Sequence, residues 1–121
     1  MKKLARFAIA LGGLSLVFGT TTSSAGPAYD GRWSVRVVVV AGDCSLDRPL
    51  PIRVADGRVS LAALFGPRVR GKVGQDGQIS IRLSYAGEIV DAAGALAAEG
   101  GRGSWTSPTL DCGGVWKATR S

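Results

Sequence analysis

Histidine is absent from this 121-residue chain, so its reactive side chains are two cysteines and nine carboxylates. Without imidazole, neither a Ser-His-Asp nor a Cys-His arrangement can be assembled, and the commonest general base at neutral pH is missing. The carboxylates do not replace it. Glu88 and Asp91 lie three apart in an alternating segment, so on a strand they point to opposite faces and cannot work as a paired acid and base. Asp43, Asp47 and Asp111 flank the cysteines and invite comparison with a Ca²⁺ site, but their spacing fits no calcium loop and they read as solvated loop acids. Cys44 and Cys112 alone cannot complete a zinc site. No catalytic residue, metal or cofactor is expected.

Binding is the remaining chemistry, and two constellations offer it. Arg68, Arg70, Lys72 and Arg82 alternate with apolar residues and so share one face of a predicted hairpin. That basic face suits an acidic protein, an anionic glycan or a lipid headgroup; its bland alternative is a solvated sheet face partly neutralised by Asp91. Trp33, Trp105 and Trp116 are candidates to line a ligand cavity. Their alternative is plain core, because a small barrel fills itself with its own side chains.

The elements that position these residues begin after a leader. Lys2, Lys3 and Arg6 precede an apolar run from Phe7 to Phe18, and Ser23, Ser24 and Ala25 supply small residues for cleavage. The run is broken by Gly12 and Gly13 and falls short of the roughly 20 residues a membrane-spanning helix needs. Residues 1–25 therefore read as a signal peptide cleaved after Ala25, leaving residues 26–121 as a single domain in the periplasm or outside the cell. With no cysteine near the cleavage point and no twin arginine, export of an unfolded chain is expected, without a lipid anchor. Cleavage removes three of the 15 basic residues, leaving 12 against nine acids, a net charge of +3 instead of +6. That balance does not call for nucleic acid. In an oxidising compartment Cys44 and Cys112 are expected to form a disulfide.

The domain itself reads as all-β. Arg32–Ala41 alternates Trp33, Val35, Val37 and Val39 against Ser34 and Arg36. Asp56-Gly57 predicts a two-residue hairpin that sets Val54 opposite Val59, Ile52 opposite Leu61 and Arg53 opposite Ser60. A second hairpin joins Arg68–Val73 to Gln78–Tyr85. A turn at Ala86-Gly87 then brings Asp91 across from Arg82. Ala92–Ala98 is alanine-rich, yet Gly94 and the missing apolar stripe favour strand over helix. Glu99–Gly103 reads as a loop before a short strand around Trp105. Cys44 follows the first strand and Cys112 precedes the last, as expected if these are antiparallel neighbours. The sum is a small antiparallel up-and-down β-barrel or rolled sandwich of about seven or eight strands. Outer-membrane insertion is disfavoured by strands read as shorter than the roughly 9–11 residues such barrels use and by charges on the outward face.

The Tyr29-Asp30-Gly31-Arg32-Trp33 opening, the Cys44 and Cys112 pair and the closing Gly114-Val115-Trp116 resemble a group of small exported proteobacterial proteins of uncharacterised function. The Gly-x-Trp opening is also similar to avidin-like and lipocalin-like barrels and to periplasmic inhibitors of secreted metalloproteases. The resemblance implies an exported β-barrel and attaches no activity. The expected role is a non-catalytic binding module, possessing in its inhibitor variant an ordered loop or a free segment at residues 26–30 that enters a protease cleft. Its partner would be an envelope or extracellular protein, an anionic glycan or a small ligand, with no stable membrane span. A carrier using the barrel interior is the alternative, and a carboxylate-based enzyme is the second.

Overall fold

Period-two alternation runs through nearly every segment after Gly31, and each apolar set needs a second face to bury against. In the computed structural model, which describes residues 27–46 and 48–121, the sheet supplies that face by closing on itself. The expected signal peptide (1–25), Gly26 and Asp47 lie outside the described residues. A short 3₁₀ turn at Pro27–Tyr29 leads into β1 (Gly31–Ala41), followed by β2 (Leu50–Ala55), β3 (Arg58–Leu61) and β4 (Arg68–Val73). The circuit continues with β5 (Gln78–Tyr85), β6 (Glu88–Leu96), β7 (Gly100–Ser107) and β8 (Cys112–Arg120). Each strand pairs antiparallel with the next, and β8 returns to β1, so the architecture is a closed barrel rather than a sandwich.

Turn chemistry and alternation agree where the register was predicted. Asp56 and Gly57 take φ of 52° and 76°, the two positive angles a type I′ turn requires. Val54 faces Val59, Ile52 faces Leu61 and Arg53 faces Ser60. The Ala86-Gly87 turn, with φ of 52° and 85°, brings Asp91 opposite Arg82. The alanine-rich segment is strand through Leu96.

The seam between β1 and β8 runs from Trp33 opposite Arg120 to Val39 opposite Gly114, and the register then shifts before Ala41 meets Gly113. Just past this bulge Cys44 bonds Cys112, with their Cα atoms 6.4 Å apart across 68 residues of sequence. Fixing so long a loop stabilises the fold by about 4 kcal/mol in the chain-entropy description. The bridge ties the β1–β2 connection to the first residue of β8. Beneath it Leu46, Leu50 and Leu110 pack on the core.

Two expectations need correction. Residues 100–103 are not loop: β7 starts at Gly100, and Gly101 and Gly103 are paired strand residues. Glycine is there because Trp116, opposite Gly103, lies across Gly103 and its partner Gly94. A Cβ on either glycine would come 2.7 Å from the indole. Strand length also exceeds the expectation, since β1 has 11 residues and β6 and β8 have 9 each. The buried positions are apolar, while the outward ones carry arginines, lysines and small polar residues together with exposed Val38, Val40 and Val115.

Gly103→Ala should therefore overpack the interior. The new methyl would fall on the Ala93 carbonyl as well as the indole, and the expected loss is about 1–3 kcal/mol in urea unfolding. Gly100→Ala, whose Cβ would lie 3.5 Å from the Ala118 carbonyl in ordinary contact, is the matched control. Equal midpoints for the two variants would show that Trp116 does not occupy this lane.

Candidate functional site

Inside the wall, the three tryptophans are 0–2% exposed and form one core with Val35, Ile52, Val54, Val59, Ile79 and Ile81. Each indole N–H donates to backbone carbonyls. Trp33 reaches Tyr29 at 3.0 Å; Trp105 reaches Val38 and Val115, both at 3.2 Å; Trp116 reaches Ala93 at 3.2 Å and Ser104 at 3.1 Å. A buried indole needs such a partner, and here the wall provides it. Their polar atoms are thus committed to the protein.

One end of the barrel is fastened by Arg120, which the sequence reading did not single out. Its guanidinium lies over the Trp33 ring, 4.4 Å from the centroid, and donates to the carbonyls of Ala28 at 2.6 Å, Asp30 at 2.7 Å and Ala98 at 3.0 Å. Five fixed donors let arginine join three chain segments in this way, where lysine could not match the geometry. The signal was present in the alternation: Trp116 and Ala118 face inward, so Arg120 continues their parity.

The opposite end carries the disulfide and the longer connections. Ser107, only 2% exposed, donates to the Ile89 carbonyl at 2.6 Å and accepts from the Leu110 amide at 3.2 Å, fixing the β7–β8 turn. Asp43 and Asp111 are exposed beside the disulfide, and Asp47 lies outside the described residues. Among the described residues no three His, Cys, Asp or Glu side chains gather as a metal group. In the β3–β4 loop, Leu64 and Phe65 are 93% and 90% exposed.

The outer wall holds the charge. Arg68, Arg70, Lys72 and Arg82 all face outward, but they are not equivalent. Arg70 stands directly opposite Arg82, and Arg82 is engaged by Asp91 through a two-pronged contact at 2.7 and 3.1 Å. Lys72 lies between Arg58 and Ser80. Five further cations belong to this wall: Arg32 is opposite Arg53, Arg36 is opposite Lys117, and Lys117 is opposite Arg102. Between Lys72 and this row the wall sinks into an open trough floored by Ser80, Ala93, Ala95 and the glycines beneath them. Arg102 escaped attention because its segment read as loop. The alignment of Arg36 with Lys117 needs a register between the two ends of the chain, which no local pattern supplies.

Acids are placed differently. Within the strands only Glu88 and Asp91 are acidic, and the other described acids sit in the connections at the barrel ends. The Arg82 hydrogen bond, aided by its charge, holds the Asp91 carboxyl below the usual aspartate range, while Asp91 raises the Arg82 pKa. A depressed folded-state pKa contributes stability above the unfolded value that is lost as pH falls through the folded one. An NMR titration should place Asp91 below the usual aspartate range, and Arg82→Gln should move its midpoint upward. An unchanged midpoint in that variant would show that the contact does not persist in solution. Comparison with protein families, with curated proteins and with solved structures yields no match to this chain.

Proposed function

We propose that the protein is an exported, non-catalytic binding module that meets its partner through the outside and the loop end of the barrel. The observation that carries this reading is the packed interior. An eight-stranded barrel is just wide enough to be filled by side chains or to hold one small ligand. Here three buried indoles and their aliphatic neighbours occupy that space, with the indole N–H groups already bonded to the wall. A carrier would need apolar lining with free polar groups aimed at a ligand. Export is supported by the basic, apolar and small-residue order of residues 1–25 and by the single disulfide, a bond that persists in oxidising compartments. Outward arginines and lysines on the wall weigh against lipid around it, since such a charge costs about 2–4 kcal/mol at the bilayer midplane.

Native mass spectrometry of the exported protein tests the choice between surface and interior. The expected species is the bare, disulfide-closed polypeptide beginning at Gly26. A small molecule that co-purifies and is released only on unfolding would move the assignment to the carrier.

The inhibitor variant is favoured by one specific observation, the exposed Leu64-Phe65 pair on a short loop between paired strands. The alternative insert, residues 26–30, is less free: Ala28 and Asp30 are held by Arg120, and Gly26 lies outside the described residues. Against a panel of secreted proteases at micromolar concentration, inhibition should be lost on Phe65→Ser. Absence of inhibition across the panel would remove this variant and leave the broader binding role intact.

A further inference from the structure

Like charges placed directly opposite on neighbouring strands repel, because their Cβ atoms are only about 4.5–5.5 Å apart. Arg36, Lys117 and Arg102 make such a row on β1, β8 and β7. All three are exposed, and among the described residues none has a carboxylate within 4 Å. Elsewhere on the wall like charges meet only in pairs: Arg32 faces Arg53 and Arg58 faces Lys72, also with no carboxylate within 4 Å among the described residues, and Arg70 faces Arg82, which Asp91 relieves. An unrelieved row of cations is a cost to folding that an anionic ligand would remove.

The surface next to the row has the shape to receive one. Across β6 and β5 the outward residues shrink to Ala95, Ala93 and Ser80, and the wall rises again in charge at Lys72 on β4. From Lys72 to the strand of Arg102 is three strand spacings, about 14 Å around the barrel. We infer that this trough is a binding site for a linear anionic glycan, whose acidic groups meet Arg36, Lys117 and Arg102 on one side and Lys72 on the other.

The choice of glycan follows from what the site lacks. A peptide commonly binds by adding a strand, and the strands under the trough, β5 to β8, are paired on both sides. A protein partner usually needs aromatic anchors or pockets at the centre of its footprint, whereas the outward side chains at the centre here are Ser80, Ala93 and Ala95, with Ile79 and Trp116 buried below them and half-exposed Val115 beside Lys117. A flat bilayer does not enter a trough. A slender chain with regularly repeated carboxylates and hydroxyls does, using Ser80 and Gln78 as hydrogen-bonding partners beside the cations.

This inference rests on the surface-acting role proposed above and specifies its ligand. Titration of the exported, disulfide-bonded protein with polygalacturonate oligomers at low and at 0.2 M salt should show binding that weakens with salt, as exposed ion pairs do. The triple variant Arg36→Gln/Lys117→Gln/Arg102→Gln should bind about tenfold more weakly or worse, given three exposed ion pairs lost. Its urea midpoint should equal or exceed that of the wild type, because the repulsion is gone. A control with the same charge change elsewhere, Arg32→Gln/Arg48→Gln/Arg53→Gln, should retain binding within about threefold. Filling the floor with Ala93→Leu/Ala95→Leu should abolish binding with no change in charge.

Equal losses in the two triple variants would reduce the effect to net charge and overturn the site. So would polyglutamate binding as tightly as polygalacturonate, or binding to phosphatidylglycerol vesicles in its place. An interior ligand found by native mass spectrometry would instead overturn the surface-acting role, and it is read separately from the titration.

Discussion

Three indoles inside one eight-stranded barrel set the terms for everything around them. Trp33, Trp105 and Trp116 must each be removed from water and each given an acceptor for its N–H. No side-chain acceptor performs this task; the carbonyls of Tyr29, Val38, Val115, Ala93 and Ser104 do. Those carbonyls can reach an indole only where the ring lies close against the wall. Such closeness is what Gly94 and Gly103 permit, since a methyl at either position would collide with Trp116. The glycine content of β6 and β7 is thus a packing requirement, and it fixes which strands can stand beside β8.

Closure follows from the same contact set. With β8 seated against β7 by Trp116 and against β1 by a ladder from Trp33–Arg120 to Val39–Gly114, the first and last strands close the sheet on itself. The two ends are then secured by different means. At one, the Arg120 guanidinium bridges the 3₁₀ turn, β8 and the β6–β7 connection while covering Trp33. At the other, the Cys44–Cys112 bond ties the β1–β2 connection to β8, and Leu46 and Leu110 pack on the core. For a domain of this size, where the buried fraction is modest, such fastenings make up a large share of the net stability.

Much of this was legible from residue order, and the reason is local. The Asp56-Gly57 hairpin could be registered residue by residue because turn geometry and apolar alternation agree within a dozen positions. The same holds for Arg82 opposite Asp91. Cys44 and Cys112 supplied one long-range constraint, enough to place β1 beside β8 though not to set their parity. Gly100–Gly103 failed as a reading because a strand whose inward residues are glycine carries no alternation of its own; the ring that fills it belongs to β8. The cation row was hidden for the same reason, as its three members come from segments far apart in the chain. Arg120 stands out in the residue order as an arginine on an otherwise apolar parity.

Segregation of charge completes the link from packing to role. A strand residue on a filled barrel has one free direction, outward, and the charged residues at those positions are nearly all arginine or lysine, set among serine, threonine, alanine and valine, with most of the described acids in the connections. If solubility were the only demand, interspersed signs would meet it with less repulsion, as the Arg70–Arg82–Asp91 group already does. The unrelieved row at Arg36, Lys117 and Arg102 instead keeps a positive field over a surface of small side chains. With its interior spent on packing and its edges spent on closure, that wall and the loop end with Leu64 and Phe65 are what the fold leaves for recognition.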